Sequence, residues 1–568
     1  MAIRLGKILV EEKLITVEEL SAALSEQSRT REALGEILVR FGFVTEEKML
    51  RALAKQQGIH FIELTSIVVE DKVLRSVPGK FVLHYKIMPI SLEGDLLTVA
   101  LADPFDMLPI DDLETHLGFK VGKVLATKED IEAAIKKYYG VGAETIDRIL
   151  SDDARPAQAA ELSTDEKVDD LEKLAESASV IKLVNQILQE AITERATDIH
   201  FEHFLGELIL RYRIDGLLYD ASVNEKIKYL YLAIVSRIKI MAGLDIVERR
   251  LPQDGRVKVK VGTFEYELRV SIIPTLYGEN IVIRILPTKM LFDIADLGIS
   301  ENDRGLIEQL LKKVYGIIFV TGPTGSGKTT TLYACLSKLN SREKKILTIE
   351  DPIEYELKGI TQTQVNTKIN LTFAQMLRSM LRHDPDVMMV GEVRDRETAE
   401  VTIQTALTGH LVLSTLHTND AAGGVTRLID IGIEPYLVAS SVIAFLAQRL
   451  VRIVCNDCKE QVTLSSLGFR EDQLKAEGFH ADPGTLVFRG RGCKACNQTG
   501  YKGRVAIYEI LLIDEAIKSL ILARAPSHVI KEKSLKHGMH TLKQDGWNKV
   551  LLGVTTPEEV LRVTQLEG

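Results

Sequence analysis

Residues 317–330 read IIFVTGPTGSGKTT. The apolar run from Ile317 to Val320 has the length and character of a buried strand. Gly322, Gly325 and Gly327 then mark a loop, and a helical pattern resumes after Lys328, Thr329 and Thr330. The spacing is GxxxxGK[ST], placed between a strand and a helix as that motif requires. Glycines let backbone N–H groups curl around phosphates, and the helix N-terminus adds a favourable dipole. The expected nucleotide site is Gly322, Thr324, Gly325, Ser326, Gly327, Lys328, Thr329 and Thr330. Lys328 is expected on the β- and γ-phosphates of a nucleoside triphosphate, and the Thr329 hydroxyl on Mg²⁺.

Such a loop needs carboxylates at the ends of neighbouring strands. DVMMVGE (386–392) is an apolar strand ending in Glu392, a candidate to hold Mg²⁺ through water. ILTIEDP (346–352) has the same form, with Glu350 and Asp351 before Pro352. Two carboxylates with separate duties suit hydrolysis, one near metal and one orienting the attacking water. The same positions also suit ordinary strand-end residues or helix caps. TGHLVLSTLHTN (408–419) puts His410 and His417 at opposite ends of a short apolar strand. A strand-end histidine is commonly a hydrogen-bonded structural residue; beside a phosphate loop it can sense a γ-phosphate.

Taken together, GPTGSGKTT, LTIEDPIEY, DPDVMMVGEVRDRETAE and TGHLVLSTLHTND resemble the type II/type IV secretion ATPases over residues 177–568. The four segments match that family's Walker A, Asp box, Walker B and His box. The resemblance implies that Glu350 polarises the attacking water, that Glu392 is the Walker B glutamate and that His417 is the His-box histidine. It also implies that Arg256 and Arg269, from the preceding domain, reach the nucleotide phosphates. On the residues alone, Arg256 could stabilise a turn and Arg269 could pair with neighbouring glutamates. The implied architecture is multidomain α/β: a RecA-like P-loop ATPase domain with a zinc-knuckle insertion, a preceding α+β (PAS-like) domain and a helical/mixed N-terminal domain. The implied activity is ATP hydrolysis by a homohexamer that drives an inner-membrane platform protein. Retraction motors generally lack the long N-terminal region and the tetracysteine insertion, so extension or export is favoured. Type IV pilus assembly is the main expectation, and type II secretion is the alternative.

Cys455 and Cys458, with Cys493 and Cys496, form two CxxC pairs separated by the segment 459–492. Four thiolates so arranged suit structural Zn²⁺, which leaves no open coordination position for catalysis. A redox-active CxxC is the other reading of such a pair. The separation is longer than usual between knuckles, so 459–492 must form an excursion of its own. Cys335 is expected to be a buried, inert thiol.

The N-terminus carries a repeat. RLGKILVEEKLITVEELSAALSEQ (4–27) aligns without gaps to ALGEILVRFGFVTEEKMLRALAKQ (33–56), with ten of 24 positions identical. Each copy reads as a short apolar segment and then a helix opened by Thr16 or Thr45, with Thr16 and Glu19 fitting a capping box. The paired motifs resemble the cyclic di-GMP-binding module found at the front of some pilus and secretion ATPases. The resemblance assigns Arg4, Leu5, Gly6 and Gln27 to one motif and Leu34, Gly35, Gly42 and Gln56 to the other. Lys13 and Ala33 depart from it, standing where the motifs have glycine and arginine. A helical docking module is the second reading.

Four segments are expected: an N-terminal domain at 1–140, an acidic flexible linker at 141–176, an α+β domain at 177–290 and the ATPase domain at 291–568, with its zinc region at 455–496. The linker follows from SDDARPAQAAELSTDEKVDD (151–170), with seven acids, two bases and no aromatic residue. Hairpins are expected at ELILRYRI-DG-LLYD and RVKVKV-GT-FEYELRVSI, a strand at Leu96–Leu101 and a helix at 128–139. The chain of 568 residues has a net charge of −9. No basic stripe with interleaved aromatics is present, which argues against a nucleic-acid translocase. No apolar stretch predicts a signal peptide or membrane span, so the expected location is cytoplasmic and peripheral to the inner membrane. A nucleotide-gated signalling module is a further class, disfavoured by the intact Lys328, Glu350 and Glu392.

Overall fold

The computed structural model describes residues 5–143, 145, 146, 149, 175–288, 293–476, 479 and 481–565. Arg4 and most of the expected acidic linker lie outside the described residues. The chain divides into two compact units, Met1–Leu286 and Pro287–Gly568.

The first unit opens with a helix pair that occurs twice. Leu5–Glu11 and Val17–Thr30 are followed by Leu34–Arg40 and Glu46–Gln57. Thr16 and Glu19 form the predicted capping box, and Thr45 caps its helix by accepting from the Lys48 N–H. A Cβ on Gly6 would meet Leu20 at 2.7 Å, and one on Gly35 would meet Met49 at 2.9 Å. The missing side chain thus lets the helices of each pair close together. The intervening turn is left-handed in both copies, at Lys13 (φ 57°) and Gly42 (φ 74°).

A four-stranded sheet follows, in the order His60–Phe61, Lys120–Leu125, Leu96–Leu101, Met88–Glu93. The expected helix spans Lys128–Tyr139. A six-stranded sheet then runs Leu217–Asp220, Glu207–Ile214, Ala196–Phe204, Gly278–Pro287, Phe264–Thr275, Gln253–Val261. Helices Ala178–Thr193 and Tyr231–Ala242 share its core. Both predicted hairpins form, with Ile214 paired to Leu217 and Val261 to Phe264. Half-buried and exposed residues alternate along Gln253–Val261, as a strand with one wet face requires.

The second unit is built on a seven-stranded sheet. Its order is Thr361–Gln364, Ile346–Glu350, Val387–Val390, Leu411–Leu416, Gly316–Thr321, Val442–Val454, Tyr501–Leu512. Every neighbouring pair is parallel except the last. Four strands, Gly316–Thr321, Ile346–Glu350, Val387–Val390 and Leu411–Leu416, are buried at every residue. A parallel sheet covered on both faces hides both sets of side chains, so its strands are unbroken apolar runs. Alternate residues enter different cores: Ile317 and Phe319 one, Ile318 and Val320 the other. The excursion between the cysteine pairs forms a strand pair, Lys459–Thr463 with Leu486–Gly490. Its Phe479 stacks on Trp547 at 3.8 Å. No helix among the described residues is long and apolar enough to cross a membrane.

Phe445 stacks on Phe319 at 5.4 Å and is fully buried. We predict that Phe445→Ala costs about 3–5 kcal/mol, because transfer and cavity terms add. Urea unfolding followed by fluorescence of Trp547, the single tryptophan, measures this; a loss smaller than about 1 kcal/mol would contradict the packing.

Candidate functional site

Parallel pairing decides where the strands of the second unit end. Ile349, Val390, Ser414 and Phe319 lie in one row across four adjacent strands. Beyond that row, at the carboxyl ends, come Glu350, Glu392, His417 and Gly322. Open α/β sheets bind ligands at that edge. Hydroxyls brace it: Ser414 Oγ donates to the Val390 carbonyl at 2.8 Å and Thr415 Oγ1 to the Gly391 carbonyl at 2.7 Å.

The loop after Thr321 leads into the helix Lys328–Leu339. Gly327 has φ 87°, and a Cβ there would meet Gln448 Nε2 at 2.8 Å. Left-handed backbone and close packing both select glycine. Lys328 Nζ donates to the carbonyls of Gly322 and Pro323 at 2.8 and 3.0 Å. Burial brings its ammonium down to about 8, with Glu392 opposing and Arg449 adding to the shift. A phosphate beside it would favour the charged form. Ser326 Oγ is buried without a hydrogen-bond partner, a donor that a phosphate oxygen can satisfy. Thr324, Gly325 and Thr329 are exposed and Thr330 is half-buried. These residues fit a nucleoside triphosphate and its metal.

The two carboxylates differ in their surroundings. Glu350 is 3 % exposed. It accepts from Thr348 Oγ1 at 2.6 Å, from Gln362 Nε2 at 3.1 Å and from the Tyr333 hydroxyl. Burial outweighs these donors and pushes its carboxyl above the ordinary range. Glu392 accepts from Arg394 Nε at 2.5 Å and lies 3.4 Å from His417 Nε2. His410 sits at the other end of its strand, with Nδ1 2.9 Å from the Thr405 carbonyl. It ties down the preceding turn, so only His417 of the two reaches the carboxylate edge. Arg394 stands within the Walker B-like run and was readable there. Tyr333, Gln362, Gln448 and Arg449 come from distant segments and carried no local signal.

In the first unit, Arg256 and Arg269 are directly opposite one another in register. Glu267 lies 3.6 Å from the Arg256 guanidinium and 4.0 Å from that of Arg269. Like charges so placed repel, and the shared glutamate offsets part of that cost. In the N-terminal repeat, Leu5 and Leu34 pack on its core, Gln27 Nε2 donates to the Glu32 carbonyl at 3.1 Å and Gln56 is half-buried.

The four cysteines converge. Cys455 and Cys493 sulfurs are 3.8 Å apart, Cys458 and Cys496 3.8 Å, and Cys493 and Cys496 3.7 Å. All four ligand atoms lie within 4.8 Å of one another. A tetrahedron with bonds of about 2.3 Å has edges of about 3.8 Å, so the thiols fit a four-sulfur metal site. Burial raises the Cys496 thiol, but the Cys493 and Gly500 N–H donors prevail and bring it down to about 7. Cys335 is buried and pushed up to about 12, an inert thiol.

Sheet order, phosphate loop and strand-end acids define a P-loop ATPase of RecA-like architecture. A family model described as "Type II/IV secretion system protein" matches residues 173–562, and the chain belongs to that family. A model described as "MshEN domain" matches residues 57–145, directly after the helical repeat. The type IV pilus assembly ATPase PilB of Myxococcus xanthus is 42% identical over 565 residues, 99% of each chain. Type II secretion system protein E of Pseudomonas aeruginosa is 50% identical over 404 residues, 71% of this chain and 78% of that protein. Its counterpart from Xanthomonas campestris pv. campestris is 40% identical over 567 residues, 99% of this chain and 98% of that protein.

Two outcomes are expected. Thr348→Val removes a donor to the charged form of Glu350, so that carboxyl rises further and takes its proton at higher pH. The acid limb of ATP turnover therefore moves to higher pH in a pH–rate profile; an unmoved limb would separate Glu350 from turnover. Cys458→Ser lowers the metal bound per chain in elemental analysis, and an unchanged metal content would remove the cysteine cluster as its site.

Proposed function

We propose that this chain is an ATP-hydrolysing hexameric motor of type IV pilus assembly, working in the cytoplasm on an inner-membrane platform protein. The observation that carries the chemistry is the alignment of Glu350, Glu392, His417 and the phosphate loop along one sheet edge. In this reading Gly322, Thr324, Gly325, Ser326, Gly327, Lys328 and Thr330 hold the phosphates of ATP. Thr329 and Glu392 hold Mg²⁺, which supplies positive charge to those phosphates. Glu350 orients the attacking water and accepts its proton, and a carboxylate raised by burial is a stronger base than one in water. His417 senses the γ-phosphate. Arg256 and Arg269, opposite one another in register, are the further phosphate-binding cations.

The cysteine cluster is read as structural Zn²⁺, closed to substrate because all four ligands are protein. The repeat is read as a cyclic di-GMP site through Arg4, Leu5, Gly6, Gln27, Leu34, Gly35, Gly42 and Gln56. Packing of Gly6 and Gly35 inside each helix pair favours a docking module as its second reading. End-to-end similarity to a pilus assembly ATPase at 42% identity supports the pilus assignment, and a type II secretion protein E matched end to end at 40% supports export nearly as well. Higher identity to a type II secretion protein over the shared core supports protein export as the second reading.

Lys328→Ala should abolish nucleotide binding, whereas Glu350→Ala should keep binding and lower turnover about 10²-fold or more. Equilibrium binding and phosphate release measure the two, and lost affinity in the Glu350 variant would refute its role. In cells carrying Glu350→Ala, surface pili and secreted proteins are scored together. Pili lost with secretion intact supports the pilus reading, and the reverse promotes export. If neither changes, both readings fail.

A further inference from the structure

Two residues beyond His417, three consecutive residues, Asn419, Asp420 and Ala421, are each held by a different charged side chain. Arg449, on the strand Val442–Val454, donates from Nη2 to the Asn419 carbonyl at 2.6 Å. Lys531, on the helix Ser527–Lys536, donates from Nζ to Asp420 Oδ2 at 3.1 Å. Glu509, on the strand Tyr501–Leu512, accepts the Ala421 N–H on Oε1 at 2.9 Å. The set is cross-linked, because Lys531 Nζ also lies 3.5 Å from Glu509 Oε2. Asp420 in turn caps the helix Ala421–Asp430 through the Gly423 N–H at 2.8 Å.

We infer that Lys531 is a positioning residue for ATP turnover: with Glu509 and Arg449 it clamps residues 419–421 and so fixes His417 against Glu392. This rests on the reading that His417 acts on the bound nucleotide. The Glu509 side chain is 0 % exposed, and a buried carboxylate is tolerated only when paired and hydrogen-bonded. Asp420 and Glu509 both face one ammonium. With that ammonium removed, two carboxylates share a site and repel, and the N–H groups of Gly423 and Ala421 are what they hold. Burial pushes the Glu509 carboxyl above the ordinary range while Lys531 pulls it down, which is the tension such a pair produces. Neither Lys531 nor Glu509 needs to touch nucleotide. With Arg449 they act through the Asn419 carbonyl, the Asp420 carboxylate and the Ala421 N–H, in a segment that His417 Nε2, 3.4 Å from Glu392, ties to the candidate site.

The test uses the full chain and steady-state ATP hydrolysis for wild type, His417→Ala, Lys531→Met, Lys531→Arg and the double variant His417→Ala/Lys531→Met. Lys531→Met should lower kcat about tenfold through misplacement of His417, with KM for ATP within about twofold of wild type. Lys531→Arg should restore most of the loss. In the His417→Ala background the same substitution should add almost nothing, since coupled residues are not additive. Full additivity, or an equal rise in KM, overturns the clamp. Glu509→Leu removes the acceptor that holds the Ala421 N–H, so it carries the test if Lys531→Met does not fold. Wild-type kcat in either folded variant also overturns the clamp. If His417→Ala itself hydrolyses ATP like wild type, the role of His417 fails and the clamp falls with it. His417→Ala impaired beside unimpaired Lys531→Met overturns the clamp alone.

Discussion

The parallel register of four buried strands is the constraint on which the candidate site depends. Aligning Ile349, Val390, Ser414 and Phe319 in one row leaves every following residue on the same side of the sheet. A register shift in any strand would flip its side chains between the two cores and move its terminal residue out of line. The apolar strands therefore do more than stabilise the unit. They place two carboxylates, a histidine and a phosphate loop together from segments far apart in sequence. Hydroxyls of Ser414 and Thr415 secure that edge from within the sheet, donating to carbonyls of the neighbouring segment.

What was legible in the sequence was whatever sits in one contiguous pattern. The phosphate loop, the strand-ending acids, the cysteine pairs, both hairpins and the helical repeat each occupy a short window with a defined period or spacing. The remainder is pairwise and long-range. Tyr333 and Gln362 reach Glu350 from a helix and an edge strand, and no local spacing predicts that convergence. On spacing alone His410 and His417 are equivalent, because both flank the same strand, and it was the family resemblance that singled out His417. Strand direction is what separates them physically, and direction follows from parallel pairing with Gly316–Thr321. The opposition of Arg256 to Arg269 likewise needed the hairpin register, although the turn at Gly262 fixed that register in advance.

The two carboxylates illustrate how one sheet edge provides unlike surroundings. Glu350 lies among neutral donors, Thr348, Gln362 and Tyr333, whereas Glu392 faces Arg394 and His417. Surroundings that differ in this way are what the proposed division between acid–base work and metal binding requires. The cysteine cluster adds a third, separate element. It closes the base of the antiparallel pair Val442–Val454 and Tyr501–Leu512, the strands that carry Gln448, Arg449, Tyr508 and Glu509.

The two copies of the N-terminal repeat reach one backbone shape with different residues. Both copies make the same left-handed turn, yet only the second keeps glycine there, at Gly42; the first carries Lys13. A left-handed non-glycine residue costs about 1 kcal/mol, which the first copy sustains without changing its backbone. The shape of the turn is thus not particular to the residue that makes it most easily, and the two halves differ in charge at a point where their backbones bend alike.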